Sequence, residues 1–530
     1  MFSSRLVWLA IIAVAGIAFA FVDISPGNTD DTAFTENCAT CHVLPDMQGY
    51  GPQDMAPLVA RMRTQYDPTS IHITDSEADE VISYLTAAAV ANDWQNSYAN
   101  ANLLPIPKAA AGNFVVEVLA DQLNFPTSLN FEPSGDLLLL ERGSMAKDSQ
   151  AQQPPALLRY NIDTGEMSAL GYVEDADVIP AQRETYNGGA MGLALDADYA
   201  VNGRLYICYH HLKDVNNERS GVNRLGAFQV DNNSLQPEAL LVDGISAGRV
   251  HNGCRVVAGP EGHLFFATGE GNDKRNAQAL NSLAGKILRI HTDGSIPNDN
   301  PFPDSPIWSL GHRNPQGLAI DPVTGQLWAT EHGVATHDEL NQILPGKNYG
   351  WPYCAGDTDY GELWGGKWTT QQRLRQIRRT SLDFESLQAT AKQVWGGRTA
   401  CFGDGLSEKN YLPAVKSFFP NRSVAISDMV FYQGSAFPAW QGSMFFVTLK
   451  TASLVRVALH ENLVETTELV IAHDDPANYG RMRDVTVGPD GYLYIITNVT
   501  NPAESANARP QNERGGLLLR VRPVTLADGT

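Results

Sequence analysis

Val256-Val-Ala-Gly-Pro-Glu-Gly-His-Leu-Phe-Phe266 is the stretch that decides the fold. An apolar pair runs into a Gly-Pro-Glu-Gly turn, and an apolar strand leaves it. Such a turn between two short apolar runs is a β-hairpin signature. The pattern recurs upstream as Leu129-Asn-Phe-Glu-Pro-Ser-Gly-Asp-Leu-Leu-Leu-Leu140, and as Leu193-Ala-Leu-Asp196 with Gly203-Arg-Leu-Tyr-Ile207. Downstream it returns as Leu318-Ala-Ile-Asp-Pro-Val-Thr-Gly-Gln-Leu-Trp328, and as Met429-Val-Phe431 with Gly442-Ser-Met-Phe-Phe-Val447. The last copy is Val485-Thr-Val-Gly-Pro-Asp-Gly-Tyr-Leu-Tyr-Ile-Ile496. Successive copies lie about 55 to 65 residues apart, with one gap of about 110 that must hold an insertion. Six evenly spaced hairpin units of this size predict a mainly β chain, a six-bladed β-propeller. A two-sheet sandwich also repeats hairpins but does not need such similar units.

Composition agrees with this reading. Charged residues make up 18% of the 530, and 46 glycines and 30 prolines punctuate the chain. That favours short strands and turns over long surface helices. The formal net charge of −21 argues against nucleic acid and anionic lipid as partners. It leaves open a solvated acidic surface or the steering of a basic redox partner.

The first 105 residues read differently. Arg5, the apolar run from Leu6 to Phe19 and Ala18-Phe19-Ala20 form a secretory signal over residues 1–20. An uncleaved anchor is the competing reading. No later run is long and apolar enough to span a membrane, so the mature chain is expected to be periplasmic or secreted. Residues 21–105 read as a small all-α domain, with Met55, Leu58, Val59 and Met62 on one helical face. Thr74 and Glu77 make a capping-box pattern before a second apolar face. Within this domain stands Cys38-Ala-Thr-Cys41-His42. Two thiols at this spacing can add to the vinyl groups of a haem, and the adjoining histidine supplies a ligand to the iron. A haem c on Cys38, Cys41 and His42 is therefore expected. Met62 is the favoured sixth ligand and Met55 the next, a thioether being suited to electron transfer. A polar, Pro-containing linker leads into the propeller, which is assigned residues 106–530.

Four cysteines remain: Cys208, Cys254, Cys354 and Cys401. In an exported chain an even remainder suggests disulfides, and four cysteines allow three pairings. The pairs closest in sequence, Cys208–Cys254 and Cys354–Cys401, are expected; buried free thiols are the alternative.

Polar clusters interrupt the apolar repeats at Arg249-Val-His251-Asn-Gly253, Gly311-His-Arg313-Asn314-Pro-Gln316-Gly317, Glu331-His-Gly333 and Arg481-Met-Arg483-Asp484. Each flanks a hairpin, so in a propeller they gather at one end of the central channel. Several arginines, Lys450 and a histidine around one funnel suit a planar polyanion.

Ser309-Leu-Gly-His-Arg-Asn-Pro-Gln-Gly-Leu-Ala319, then Asn348-Tyr-Gly-Trp-Pro352, then Arg481-Met-Arg-Asp-Val485 resemble the soluble quinoprotein sugar dehydrogenases over about residues 113–525. The N-terminal part resembles class I cytochromes c. The resemblance implies a six-bladed propeller that binds pyrroloquinoline quinone (PQQ) and calcium and oxidises aldoses. It implies His251 as catalytic base, oriented by Glu270 where the family usually has Asp, and Arg313 at the reactive quinone carbonyl. Asn187, Asn314, Lys450, Arg481 and Arg483 take quinone-binding positions. The carbonyls of Gly333 and Val334 match the calcium site, with Val where Pro is frequent. The insertion from Trp364 to Phe419 has no counterpart. Electrons are then expected to leave through the haem to an external acceptor. Two rivals stay in view. A calcium-dependent propeller lactonase would place carboxylates at the channel centre. A non-catalytic binding propeller tethered to a cytochrome would have a decayed quinone site.

Overall fold

The computed structural model describes residues 114–145, 152–177, 188–215, 218–248, 250–333, 338–352, 424–460, 463–472, 479–498 and 516–524, with a few positions elsewhere. Six four-stranded antiparallel sheets stand around a central axis. Their innermost strands are Pro126–Phe131, Ala190–Leu195, Gly253–Ala258, Pro315–Ile320, Ile426–Phe431 and Arg481–Val487. Each touches the innermost strand of the next blade, and the sixth touches the first. The six hairpins read from the sequence are the inner two strands of the six blades.

The ring is closed by a strand that the repeat pattern does not reveal. Phe114–Leu123 forms the outer edge of the sixth blade, pairing with Gly516–Pro523 (Val116 opposite Val521). The last blade is thus built from both ends of the propeller. This covers edges that would otherwise present unpaired backbone groups.

The second strand of each blade explains the apolar runs. Leu137–Glu141 is buried on both faces. Leu138 and Leu140 pack with Leu193, Leu205 and Ile207 of the second blade. Leu137 and Leu139 pack with Tyr494, Ile496 and Leu518 of the sixth. Alternate side chains of one strand therefore serve two inter-blade cores. Full burial of each leucine contributes about 1.5–3 kcal/mol.

Cys208 and Cys254 form a disulfide between the second and third blades. Cys401, the side chain of Cys354, the signal segment and the insertion 364–419 lie almost wholly outside the described residues. Of residues 21–105 only scattered positions are described; Met55, Val59, Ala78, Val81 and Leu85 among them are helical and buried. Cys38, Cys41, His42 and Met62 lie outside. No described helix is long and apolar enough to cross a membrane.

Candidate active site

All six innermost strands begin at the same end of the channel, and the polar clusters meet there. His251 precedes the third blade's innermost strand, and Glu270 follows its neighbour His263–Thr268. The two loops are pressed together: a Cβ on Gly269 would lie 1.9 Å from the His251 carbonyl. Gly271 N–H donates to that carbonyl at 2.9 Å. This close approach puts His251 Nδ1 2.7 Å from Glu270 Oε1. A carboxylate only accepts, so Nδ1 carries the proton and Nε2 keeps its lone pair. Burial and the Arg313 guanidinium hold the imidazole below its usual range, against the opposing pull of Glu270. Glu270 itself is buried.

The Gly311–Gly317 run divides its labour. His312 is fully buried, stacks on Tyr349, and bridges Ser309 Oγ at 2.8 Å and Glu331 Oε2 at 3.0 Å. Glu331 Oε1 in turn accepts from the backbone N–H groups of Arg313 and Asn314. His312 is thus an anchor, and it leaves its two successors to face the channel. Arg313 lies over the Trp351 ring at 5.3 Å, and its Nη1 donates to the His332 carbonyl at 3.3 Å. Asn314 Oδ1 accepts from Gly253 N–H at 3.2 Å, while its Nδ2 meets His332 Nδ1 at 3.3 Å. His332 therefore accepts at Nδ1 and carries its proton on Nε2. Burial and the Arg313, Arg483, His251 and Arg481 charges push it well below the ordinary histidine range.

Arg483 completes the cationic wall. Its Nη1 donates to Gln316 Oε1 at 3.1 Å. Burial, with Arg255, Arg142 and Arg481 nearby, pushes its guanidinium down to about 9. Arg481 starts the same strand. Gly333 lies beside His332, its N–H held by Asp338 Oδ1 at 2.9 Å. Arg313, His332, Gly333, Tyr349 and Trp351 line one pocket. Lys450 is exposed; its backbone N–H reaches the Val424 carbonyl, at this same end of the fifth blade. Asn187 and Val334 lie outside the described residues.

Below this wall lies a second cluster, which the reading of motifs missed. Arg255 Nη1 donates to Asp484 Oδ2 at 2.6 Å and to Ser128 Oγ at 2.8 Å. Its Nε donates to the Gln316 carbonyl at 3.1 Å and stands 3.3 Å from Asp428 Oδ1. Five of the six blades meet at this network. Burial, helped by Asp484, raises the Asp428 carboxyl well above the usual range. Arg255 holds Asp484 below it, against burial. The signal was in the alignment of the repeats. The residue just before each apolar pair is Ser128, Gly192, Arg255, Gly317, Asp428 and Asp484 in turn. That column points to the axis. At Gly192 and Gly317 a Cβ would collide with neighbouring backbone, at 2.1 Å from the Cys254 carbonyl and 2.9 Å from the Asp428 Cα. The channel centre therefore does hold carboxylates, but they are committed to Arg255.

The site is thus a histidine–carboxylate pair and a guanidinium wall at one end of a six-bladed propeller's channel, and comparison with known proteins names the family. The chain matches the glucose/sorbosone dehydrogenase family over residues 123–394 and 401–504. It is 29% identical over 423 residues to aldose sugar dehydrogenase YliI of Escherichia coli, covering 78% of this chain and 94% of that protein. It is 25% identical over 484 residues to quinoprotein glucose dehydrogenase B of Acinetobacter calcoaceticus, covering 80% and 95%. The PQQ-bound aldose sugar dehydrogenase of Streptomyces coelicolor superposes with a TM-score of 0.54 at 26% identity, over 78% of this chain and all of that one. The chain belongs to the glucose/sorbosone dehydrogenase family and is a dehydrogenase acting on CH–OH groups.

Proposed function

We propose that this protein is an exported quinohaemoprotein that oxidises an aldose-type hydroxyl with PQQ and passes the electrons out through its own c-type haem. The observation that carries the reading is the His251–Glu270 pair, 2.7 Å apart, set beside buried nitrogens that have no hydrogen-bond acceptor among the described residues. Arg313 Nε, Arg483 Nε and His332 Nε2 are buried atoms without a hydrogen-bond acceptor among the described residues. Such donors are costly to leave unmade, and a flat ligand rich in carboxylate and carbonyl oxygens would satisfy them. PQQ fits that donor set.

Arg313, Asn314, Arg481 and Arg483 would hold the cofactor, with Lys450 and Asn187 at its edge. The carbonyls of Gly333 and Val334 would hold Ca²⁺ beside it. When bound, PQQ supplies a carbonyl carbon that accepts two electrons as hydride. The protein's part is proton handling and orientation. His251 Nε2 takes the substrate hydroxyl proton, and Glu270 fixes the tautomer and stabilises the imidazolium that forms. Arg313 stabilises negative charge that develops on oxygen. Because burial and Arg313 keep His251 below its usual range, the base is neutral and competent at pH 7.

Residues 1–20 are proposed as the export signal, 21–105 as the cytochrome and 106–530 as the propeller. The donor set Cys38, Cys41 and His42 supports a covalently held haem, with Met62 as sixth ligand. A tethered haem makes electron transfer intramolecular and leaves only the last step to an external redox partner. The lactonase alternative loses its support, because the axial carboxylates are tied to Arg255 rather than open to a metal.

The test adds PQQ, Ca²⁺ and an aldose panel to the purified protein and follows the reduced-haem α-band. Sugar-dependent haem reduction is expected, together with turnover of a dye acceptor. His251→Ala should reduce kcat by about 10³-fold or more while PQQ still binds. Failure of every aldose to reduce dye or haem in the loaded protein would overturn the reading of PQQ-dependent aldose oxidation. Dye turnover without haem reduction would overturn the electron exit.

A further inference from the structure

The turn that carries His251 is strained, and the molecule crosslinks it. His251, Gly253 and Cys254 have φ values of 60°, 63° and 78°. Left-handed backbone at non-glycine residues costs free energy and persists only where the surroundings over-determine it. Most of the turn is held by hydrogen bonds. Asn252 exchanges two bonds of 2.9 Å with the backbone of Gly248, and its own carbonyl accepts from Asn223 Nδ2 at 2.9 Å. The His251 carbonyl accepts from Gly271, and Gly253 donates to Asn314.

At Cys254, the residue with the largest positive φ of the turn, the side chain is anchored by the bond to Cys208. Cys208 sits in Arg204–Val215, the second strand of the neighbouring blade, and both sulfurs belong to fully buried residues. Cys208 is paired in register with Gly192. Gly192 is the residue whose missing side chain leaves room for the Cys254 carbonyl. The bond thus joins the strained turn to the second blade beside Gly192, where the missing side chain leaves room for it.

We propose that the Cys208–Cys254 disulfide is a positioning device for His251. It holds the turn in the left-handed course that aims the imidazole at Glu270 and the channel, and its loss lowers turnover while the propeller stays folded. The inference rests on the assignment of His251 as the base.

The test compares the oxidised holoprotein with the double variant Cys208→Ala/Cys254→Ala. A base displaced by about an ångström lowers turnover by about 10- to 100-fold. The expected result is a fall of that size in kcat, with KM and PQQ affinity unchanged. Amide exchange should rise in the 248–256 segment and not in the other blades. A second variant, Cys208→Ala/Cys254→Gly, separates positioning from stability. Glycine adopts positive φ without penalty, so it should recover part of kcat although it restores no crosslink. If the alanine variant does not fold, the folded wild type is reduced with a phosphine and activity is followed against thiol release. Loss of kcat in step with thiol release supports the proposal. Unchanged kcat in the alanine variant or the reduced protein, or no recovery with glycine, overturns it. Absence of turnover in the oxidised wild type would instead strike the proposed function. Exchange at 248–256 would then still decide whether the crosslink orders the turn.

Discussion

Arg255 and Arg483 lie close together near the propeller axis, the first buried and the second half-buried, yet their environments are opposite. Arg255 faces two carboxylates, a hydroxyl and a backbone carbonyl, and its guanidinium is held more firmly charged than usual by Asp428 and Asp484. Arg483 has Gln316 as a neutral partner, keeps an unpaired Nε, and is pushed down to about 9 by burial and by other arginines. The same side chain is a rivet in one layer of the channel and an open receptor in the next. The lesson is that satisfaction, more than residue type or burial, separates a structural charge from a binding one.

The sharpest way to break that comparison is to delete the rivet. Arg255→Met leaves two buried carboxyls without their cation, and should cost about 3–5 kcal/mol of stability, read by urea denaturation. Replacing Arg255, Asp428 and Asp484 together by apolar residues of like volume should recover most of the loss. If Arg255→Met alone is neutral, the axial network is ornamental. Glu270→Gln tests the receptor layer. A neutral amide no longer enforces the tautomer or supports the imidazolium, so kcat should fall by about 10²-fold. Its pH effect has a definite sign. Glu270 raises the His251 pKa, so removing it moves the acid limb of kcat/KM to lower pH; a shift upward would contradict the pairing. Arg483→Leu should have the smallest effect on the fold. The apoprotein should hold its stability or gain, since a cation that forms no ion pair among the described residues disappears, while PQQ affinity should drop by about tenfold or more. A large loss of apoprotein stability would mean that Arg483 is a second rivet.

Much of the site was legible because its residues flank strands. His251, Arg313, Asn314, Arg481 and Arg483 stand in runs that break an apolar repeat, and only functional or structural need keeps such runs polar. Their convergence followed from blade topology. The Glu270 contact was reached by resemblance, since nineteen positions of sequence separate it from His251 and nothing local joins them. Arg255 escaped because it looked like one charged residue in a strand. Its meaning appears only when the six repeats are laid over one another. His332 stands in a polar cluster of the sequence, but its role depends on which nitrogen Asn314 engages.

The sequence by itself determined the blades, their number and the residues at the channel mouth, because hairpin turns and alternating burial are local properties that repeat at a fixed period. Only the tertiary structure decided how the ring closes, with Phe114–Leu123 completing the last blade. It alone showed which of the polar groups are spent on one another and which are left over. Hydrogen-bond satisfaction is a property of neighbours in space, and residues such as Ser128 and Asp484 become neighbours of Arg255 only when the ring shuts.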